Sequence, residues 1–364
     1  MGMKLAFFVS TPIRFNAATP EQSPLGGTES CAAYLARHLA ARGHDVTLIA
    51  SLPAATPERA LGVRHIPMED ATFGFLGRED FDAVIALSMP GDAQKLKQAA
   101  PAAFHAAWLH LGPWEPAVAQ LGAMTPFVDC AVFVSEWQRG VTRFGGATQV
   151  IGNAIAPPFE NMFASAEELR TAKQNRAVYA SAPERGLAIL AEAFAAARTL
   201  TALEVYSGSS LYQRPDAPLP ARLAALPRTT IHAPVGQKAL AAALRQAAFL
   251  AYPAILPETW CIVALEAIAA GLKVISTTVG ALPESTLGFA ELMPVSTDDA
   301  PEDIARRFTP LLERNAADFL ARKTEWAEER FAQAREVSRC CNWSARAKEW
   351  EAFLGPAVSW KRGA

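Results

Sequence analysis

Short apolar runs of strand length alternate with helix-period segments twice along this chain. That alternation restricts it to α/β layers built on parallel sheets. In the first half, Lys4 to Val9 is apolar enough to be buried on both faces, and a polar, proline-bearing loop from Ser10 to Leu25 follows. Gly26-Gly27-Thr28-Glu29 then opens a helix in which Cys31, Ala32, Leu35 and Leu39 recur at helical spacing. Gly43 closes that helix and Asp45 to Ala50 is the next strand. Further strands are expected at Val63 to Pro67, Asp82 to Leu87, Phe104 to Leu109 and Cys130 to Val134. A second series begins at Arg176, with strands at Ala177 to Ala180, Ala202 to Tyr206, Thr229 to His232, Ala248 to Tyr252 and Leu272 to Thr277. A helix from Leu187 to Arg198, a proline-rich insertion after Ser210 and a helix after Gly236 separate them, and everything from Pro301 onward reads as helical. The charged stretch from Glu313 to Glu336 reads as a solvated amphipathic face.

Between the series, QVIGNAIAPPF gives a short strand, a Gly-Asn turn and a double proline that continues neither element. The boundary is placed there, giving domains at 1–153 and 154–340 and a final helix at 341–364. The length of 364 residues exceeds one ordinary core and agrees with that division. A net charge of -2 argues against a phosphate-backbone binder, so no nucleic-acid partner is expected. Five cysteines without C-x-x-C spacing argue against a zinc site or disulfide framework and suit a reducing cytoplasm. The start, MGMKLAFFVSTP, lacks the features of a secretory signal, and no apolar run reaches the ~18 residues that span a bilayer.

The stretch with the sharpest chemistry is PETWCIVALEAIAAG, Pro257 to Gly271. From Ile262 to Ala270 every residue except Glu266 is apolar, as in a short buried helix that Gly271 can end in the left-handed conformation. A carboxylate in that setting needs partners, either structural hydrogen bonds or a ligand. Arg185, in the loop Ser181 to Gly186, sits at a helix start, where the dipole repels cations, and an anion between the two would resolve the conflict. A diphosphate is such an anion, and the free amides that open the Ile262 helix favour the same group. Gly26-Gly27 either brings amides close to an anion or is an ordinary helix start with Thr28 as cap. His110 closes a strand where open α/β sheets bind ligands, or is a surface histidine, while His105 within that strand belongs to the core. Cys261 reads as a packing residue rather than a nucleophile.

These residues resemble the retaining glycosyltransferases of family 4, of GT-B fold. Glu258 and Glu266, with seven residues between them, resemble that family's glutamate pair, and Gly26 to Glu29 its N-terminal glycine loop. His110, VIGNAIAPPF, Pro183 to Gly186, Gly280 to Glu284 and Asn342-Trp343 fall in the family's order over nearly the whole chain. The resemblance implies two Rossmann-like domains facing a central cleft, with a C-terminal helix returning to the first. It implies that Arg185 binds the donor diphosphate, Glu266 the ribose, and Glu258 and His110 the transferred sugar. Gly27, Cys261, Ile262 and Val263 would lie at the diphosphate or sugar, with Gly208 in the same donor set and Val235 near the base. The donor would be a UDP- or GDP-linked sugar and the acceptor a glycan, glycolipid or other hydroxyl. Neither metal nor cofactor is expected. Cytoplasmic location, with peripheral contact at the inner membrane face, fits the family. The chain departs from the pattern in two ways: VYASAPE lacks the second basic residue, and Thr259-Trp260-Cys261 replaces "GFG". A nucleotide-sugar 2-epimerase shares the fold and is the alternative enzyme, and a binding protein with a relic cleft is a third reading.

Overall fold

The structure is a computed structural model that describes residues 2–88, 90–116, 118–215, 219–296 and 298–363. Asp216, Ala217 and Pro218 of the proline-rich insertion lie outside the described residues. The chain forms two compact units, Met1–Ala154 with Trp343–Ala364, and Ile155–Asn342.

The first unit holds β1 (Lys4–Val9), β2 (Asp45–Ala50), β3 (Arg59–Ala60), β4 (Val63–Pro67), β5 (Ala83–Leu87), β6 (Phe104–Leu109), β7 (Cys130–Phe133) and β8 (Thr148–Val150). They form one sheet in the order β3-β4-β2-β1-β5-β6-β7-β8, parallel except for the β3–β4 pair. The central strands are buried along nearly their whole length, as parallel strands covered on both faces must be. The chain moves outward from β1 through β2 to β4, then crosses back to β5 on the other side. Between β1 and β5 it therefore has a topological switch point.

The second unit holds β9 (Gln174–Tyr179), β10 (Ala202–Tyr206), β11 (Thr229–His232), β12 (Ala247–Tyr252), β13 (Lys273–Thr277) and β14 (Glu291–Met293), in the order β11-β10-β9-β12-β13-β14 and parallel throughout. Its switch point lies between β9 and β12. Strand β9 starts earlier than the apolar run at Ala177 suggests. Asn175 donates its side-chain amide to the Thr199 carbonyl at 2.8 Å and Arg176 pairs with Glu204, so both polar residues have a partner across the strand, although the Asn175 Oδ1 has none among the described residues. The polar stretch before it contains the helix Ala166–Ala172, capped by Ser165, whose hydroxyl accepts the Glu168 amide. Helices Pro301–Ala321 and Lys323–Cys340 complete the unit. Their charged surface has a buried side, where Phe319 and Trp326 pack edge to face with ring centroids 4.9 Å apart.

The final helix, Trp343–Gly363, belongs to the first unit. Trp343 stacks on Tyr34 at 6.2 Å, and Trp350 meets Trp108 at 5.1 Å and Phe353 at 5.9 Å. Glu351 ties the same helix to His44 at 2.8 Å and to Arg42 at 2.5 Å. Trp350 has no exposed surface, so Trp350→Ala leaves a cavity against β6. The expected cost is about 3–5 kcal/mol in chemical unfolding of this unit, in the range for truncating a buried tryptophan.

Candidate functional site

The loops that leave β9 and β12 flank the switch point of the second sheet, and they are fastened to each other by backbone. The Tyr179 hydroxyl donates to the Ala182 carbonyl at 2.7 Å, and the Ser207 hydroxyl, just after β10, donates to the Ser181 carbonyl at 2.6 Å. Pro183–Arg185 makes one tight turn. Gly186 follows with φ of +122°, and a Cβ there would stand 2.1 Å from the Pro253 carbonyl oxygen. Only glycine fits a position that both has a positive φ that L side chains rarely adopt and lies against another main chain. On the other side, Glu258 forms a bridge with Gly280, and the Ala281 amide donates to the Glu258 carbonyl at 2.7 Å. Gly280 has φ of +67°, and a Cβ would lie 2.4 Å from the Glu258 nitrogen. Three loops therefore meet with no side chain between their backbones.

What they bring together is an ion pair. Arg185 Nη1 lies 2.6 Å from Glu258 Oε1. The buried Tyr252, last residue of β12, donates its hydroxyl to the same oxygen. Burial works against the Arg185 charge, and the Glu258 carboxylate more than offsets it, so the guanidinium is raised above its usual pKa. Burial first, and then the Glu258 charge, hold the Tyr252 hydroxyl well above its ordinary range. The anion that the Arg185 position calls for is thus supplied by the protein itself. In the free protein Glu258 therefore balances the Arg185 charge at this helix start.

Next to this pair the helix Ile262–Ala269 begins at Cys261, which gives no side-chain cap. The first ring of that helix closes from the Leu265 amide to the Cys261 carbonyl, so the amides of Ile262 and Val263 precede it without an intrahelical acceptor. The Trp260 side chain is buried, and its indole N–H has no partner among the described residues. The Cys261 thiol is buried and raised well above its usual pKa by burial and then by Glu258, which suits packing and not nucleophilic attack. Arg185 and Glu266 also act on that thiol electrostatically.

Glu266 is 2% exposed, and its Oε1 accepts the Ala156 amide at 3.1 Å. Burial pushes its pKa up to about 8, against the pull of that hydrogen bond. At the far end of the helix Gly271 adopts φ of +71°. There the buried Lys173 amino group donates to the Ala270 carbonyl at 2.6 Å and to the Leu244 carbonyl at 2.9 Å, joining the C-terminal ends of two helices, while burial holds its pKa well below the usual range. Gly208 lies in the loop after β10 and Val235 in the loop after β11, beyond β9 from the ion pair. There Tyr206 and His232 stack nearly parallel, 4.4 Å apart, a pair of strand-end aromatics that apolar periodicity does not single out.

In the first unit, His110 directly follows β6. Its amide donates to the Ser88 hydroxyl at 3.1 Å, and its Nε2 lies 3.2 Å from Asn153 Oδ1. Burial lowers its pKa to about 4, so the ring is neutral at pH 7. His105 is a core residue whose Nε2 meets the Ala100 carbonyl at 2.8 Å. Gly27 is the first residue of the helix Gly27–Ala41, with Gly26 as its cap. Thr28 stands inside the helix and does not cap it. Among the described residues no group of three or more histidine, cysteine or acidic side chains could hold a metal ion, and no helix is long and apolar enough to cross a membrane.

The fold has counterparts among known proteins. Residues 176–314 match the model of the family described as "Glycosyl transferases group 1". The match lies wholly within the second unit and includes Arg185, Glu258 and Glu266. No curated protein matches the chain. Among solved structures, sucrose-phosphate synthase from Thermosynechococcus elongatus is similar over 98% of this chain and 99% of its own, with a TM-score of 0.71 and 17% identity. HepE from Anabaena, in complex with UDP, is similar over 97% of this chain and 100% of its own, with a TM-score of 0.68 and 14% identity. WaaG, a glycosyltransferase involved in lipopolysaccharide biosynthesis, is similar over 96% and 99%, with a TM-score of 0.63 and 16% identity. At these identities the likeness shows the fold, which is that of the GT-B glycosyltransferases.

The contact at Gly280 gives a direct test. Gly280→Ala must either adopt a strained φ or push Glu258 away, at an expected cost of about 1–3 kcal/mol in thermal or chemical unfolding. Gly288 has a comparable φ but nothing within 4 Å of a Cβ, so Gly288→Ala is the control for backbone strain alone.

Proposed function

We propose that the chain is a retaining glycosyltransferase that moves a hexose from a UDP- or GDP-linked donor to a hydroxyl of a carbohydrate or lipid-linked acceptor. The observation that carries the proposal is the Arg185–Glu258 pair, held by backbone contacts at a switch point beside a helix start with open amides. The family match over this segment and the UDP held by the HepE structure support a nucleotide-sugar donor.

In this reading Arg185 exchanges partners when the donor arrives. The diphosphate takes the guanidinium and the amides of Ile262 and Val263, and Glu258 is released to accept a hydroxyl of the sugar. Glu266 receives the two ribose hydroxyls. His110, neutral at pH 7, is the first unit's candidate for a hydrogen bond to the transferred sugar. The C–O bond between the anomeric carbon and the diphosphate then breaks while the acceptor oxygen bonds to the same face. The acceptor proton passes to the departing phosphate oxygen. The protein contributes position and charge stabilisation, with Arg185 and the helix amides neutralising the leaving group and no metal ion invoked. Cytoplasmic action at the inner membrane face is part of the same proposal.

Two measurements test it. Arg185→Ala and Glu266→Ala should each lower donor turnover by about 100-fold or more while the circular dichroism stays native, because each removes a charge or acceptor acting on the donor. Full activity in either variant would sink the assignment. Glu266 also makes binding proton-linked. Free, its carboxyl titrates at about 8, so at pH 7 it is mostly protonated. Two hydroxyl donors favour the carboxylate, so the pKa falls on binding and a proton leaves. Calorimetry of UDP or GDP at pH 7 in buffers of different ionisation enthalpy should show proton release, and Glu266→Gln should abolish it.

A further inference from the structure

Where the helix Lys323–Cys340 ends, two adjacent cysteines bring their sulfurs together. The Sγ atoms of Cys340 and Cys341 are 3.4 Å apart. Cys340 is partly exposed and Cys341 is 2% exposed, so one thiol faces solvent and the other backs it. The other three cysteines, Cys31, Cys130 and Cys261, are all buried. We infer that Cys340 and Cys341 form a site of reversible covalent modification, a vicinal dithiol that a hydroperoxide oxidises to a disulfide across one peptide bond.

The chemistry balances with the peroxide as sole oxidant. The Cys340 sulfur attacks one peroxide oxygen. The O–O bond breaks, an S–O bond forms, and water (or an alcohol) leaves with the sulfenic acid in place. The Cys341 sulfur then displaces that hydroxyl. The S–S bond forms, the S–O bond breaks, and the Cys341 proton leaves in a second water. Two electrons pass from the two sulfurs to the peroxide. The sulfurs must close to ~2.05 Å, and neighbouring Cα atoms stand ~3.8 Å apart, below the usual ~4.4–6.8 Å of a disulfide. The ring is therefore strained, and a strained disulfide is the kind that thiols reduce readily.

The strain falls on a segment hydrogen-bonded toward Glu266 within the second unit. Cys341 has left the helical conformation, with φ of -119° and ψ of 38°. Its carbonyl accepts the Ile155 amide at 2.9 Å, and Ile155 pairs with Asn342 in a parallel bridge. The next amide, Ala156, is the one that donates to Glu266 at 3.1 Å. Two consecutive amides thus connect the Cys341 carbonyl to the Glu266 carboxylate. Closing the ring rotates that carbonyl and loosens both hydrogen bonds. The inference stands on this geometry and is independent of what Glu266 binds.

The test uses the full chain and hydrogen peroxide. A few equivalents should lower the intact mass by about 2 Da, with both cysteines in one cross-linked peptide, and dithiothreitol should restore it. In the oxidised protein the Ile155 and Ala156 amides should exchange with deuterium at least about tenfold faster, reporting local opening. Cys340→Ser, which changes a partly exposed side chain, should show neither change. The site is overturned if the mass rises by whole oxygens without the 2 Da loss, if a covalent dimer forms, or if Cys340→Ser still loses 2 Da. Unchanged amide exchange in protein that carries the disulfide overturns the link to Glu266.

Discussion

Because β9, β10, β12 and β13 run parallel, their carboxyl ends send four loops out of one edge of a single sheet, and the chain order puts β9 beside β12. The loop after β9 carries Arg185 and the loop after β12 carries Glu258, so residues 73 positions apart (258 − 185) become neighbours through strand order alone. Loops in such a crevice are held by few apolar contacts. Here main chain against main chain does the holding, at Gly186 with Pro253 and at Gly280 with Glu258. The ion pair is the result of that scaffold and contributes little to it. A pair whose arginine side chain is still 29% exposed is screened by water, and its strength lies in geometry more than in Coulomb energy.

The second constraint is solvent exclusion. Glu266 and His110 have pKa values displaced in opposite senses for one reason, the cost of charge away from water: the carboxyl rises to about 8 and the imidazole falls to about 4. Both groups are therefore neutral near pH 7 in the free protein. In each unit the buried polar group is thus neutral, while in the second the Arg185 charge persists because Glu258 balances it. Division of labour between neutral and charged groups follows from burial.

Much of this was legible in the sequence. β1, β2 and β10 have the limits that apolar runs suggest, and Gly271 ends its helix in the left-handed conformation as a glycine there implies. Arg185, Glu258 and Glu266 stand out one by one. What local pattern does not carry is pairing. That Glu258 answers Arg185, that Tyr252 joins them, and that Ala156 answers Glu266 all depend on which strands and loops are neighbours in space. The sequence marks Arg185 as needing an anion, and only the strand order shows that Glu258 supplies one in the free protein. β9 shows the same limit at a smaller scale, since the polar residues Asn175 and Arg176 enter a strand only because Thr199 and Glu204 lie opposite.

Lys173 gives one helix two unlike ends. Its amino group is the common anchor for the carbonyls of Leu244 and Ala270, so the tail of the Ile262–Ala269 helix is tied to that of the helix Gln237–Gln246. At the head of the same helix no side chain caps the first turn, so the carbonyl end is closed by a side chain while the amide end stays open.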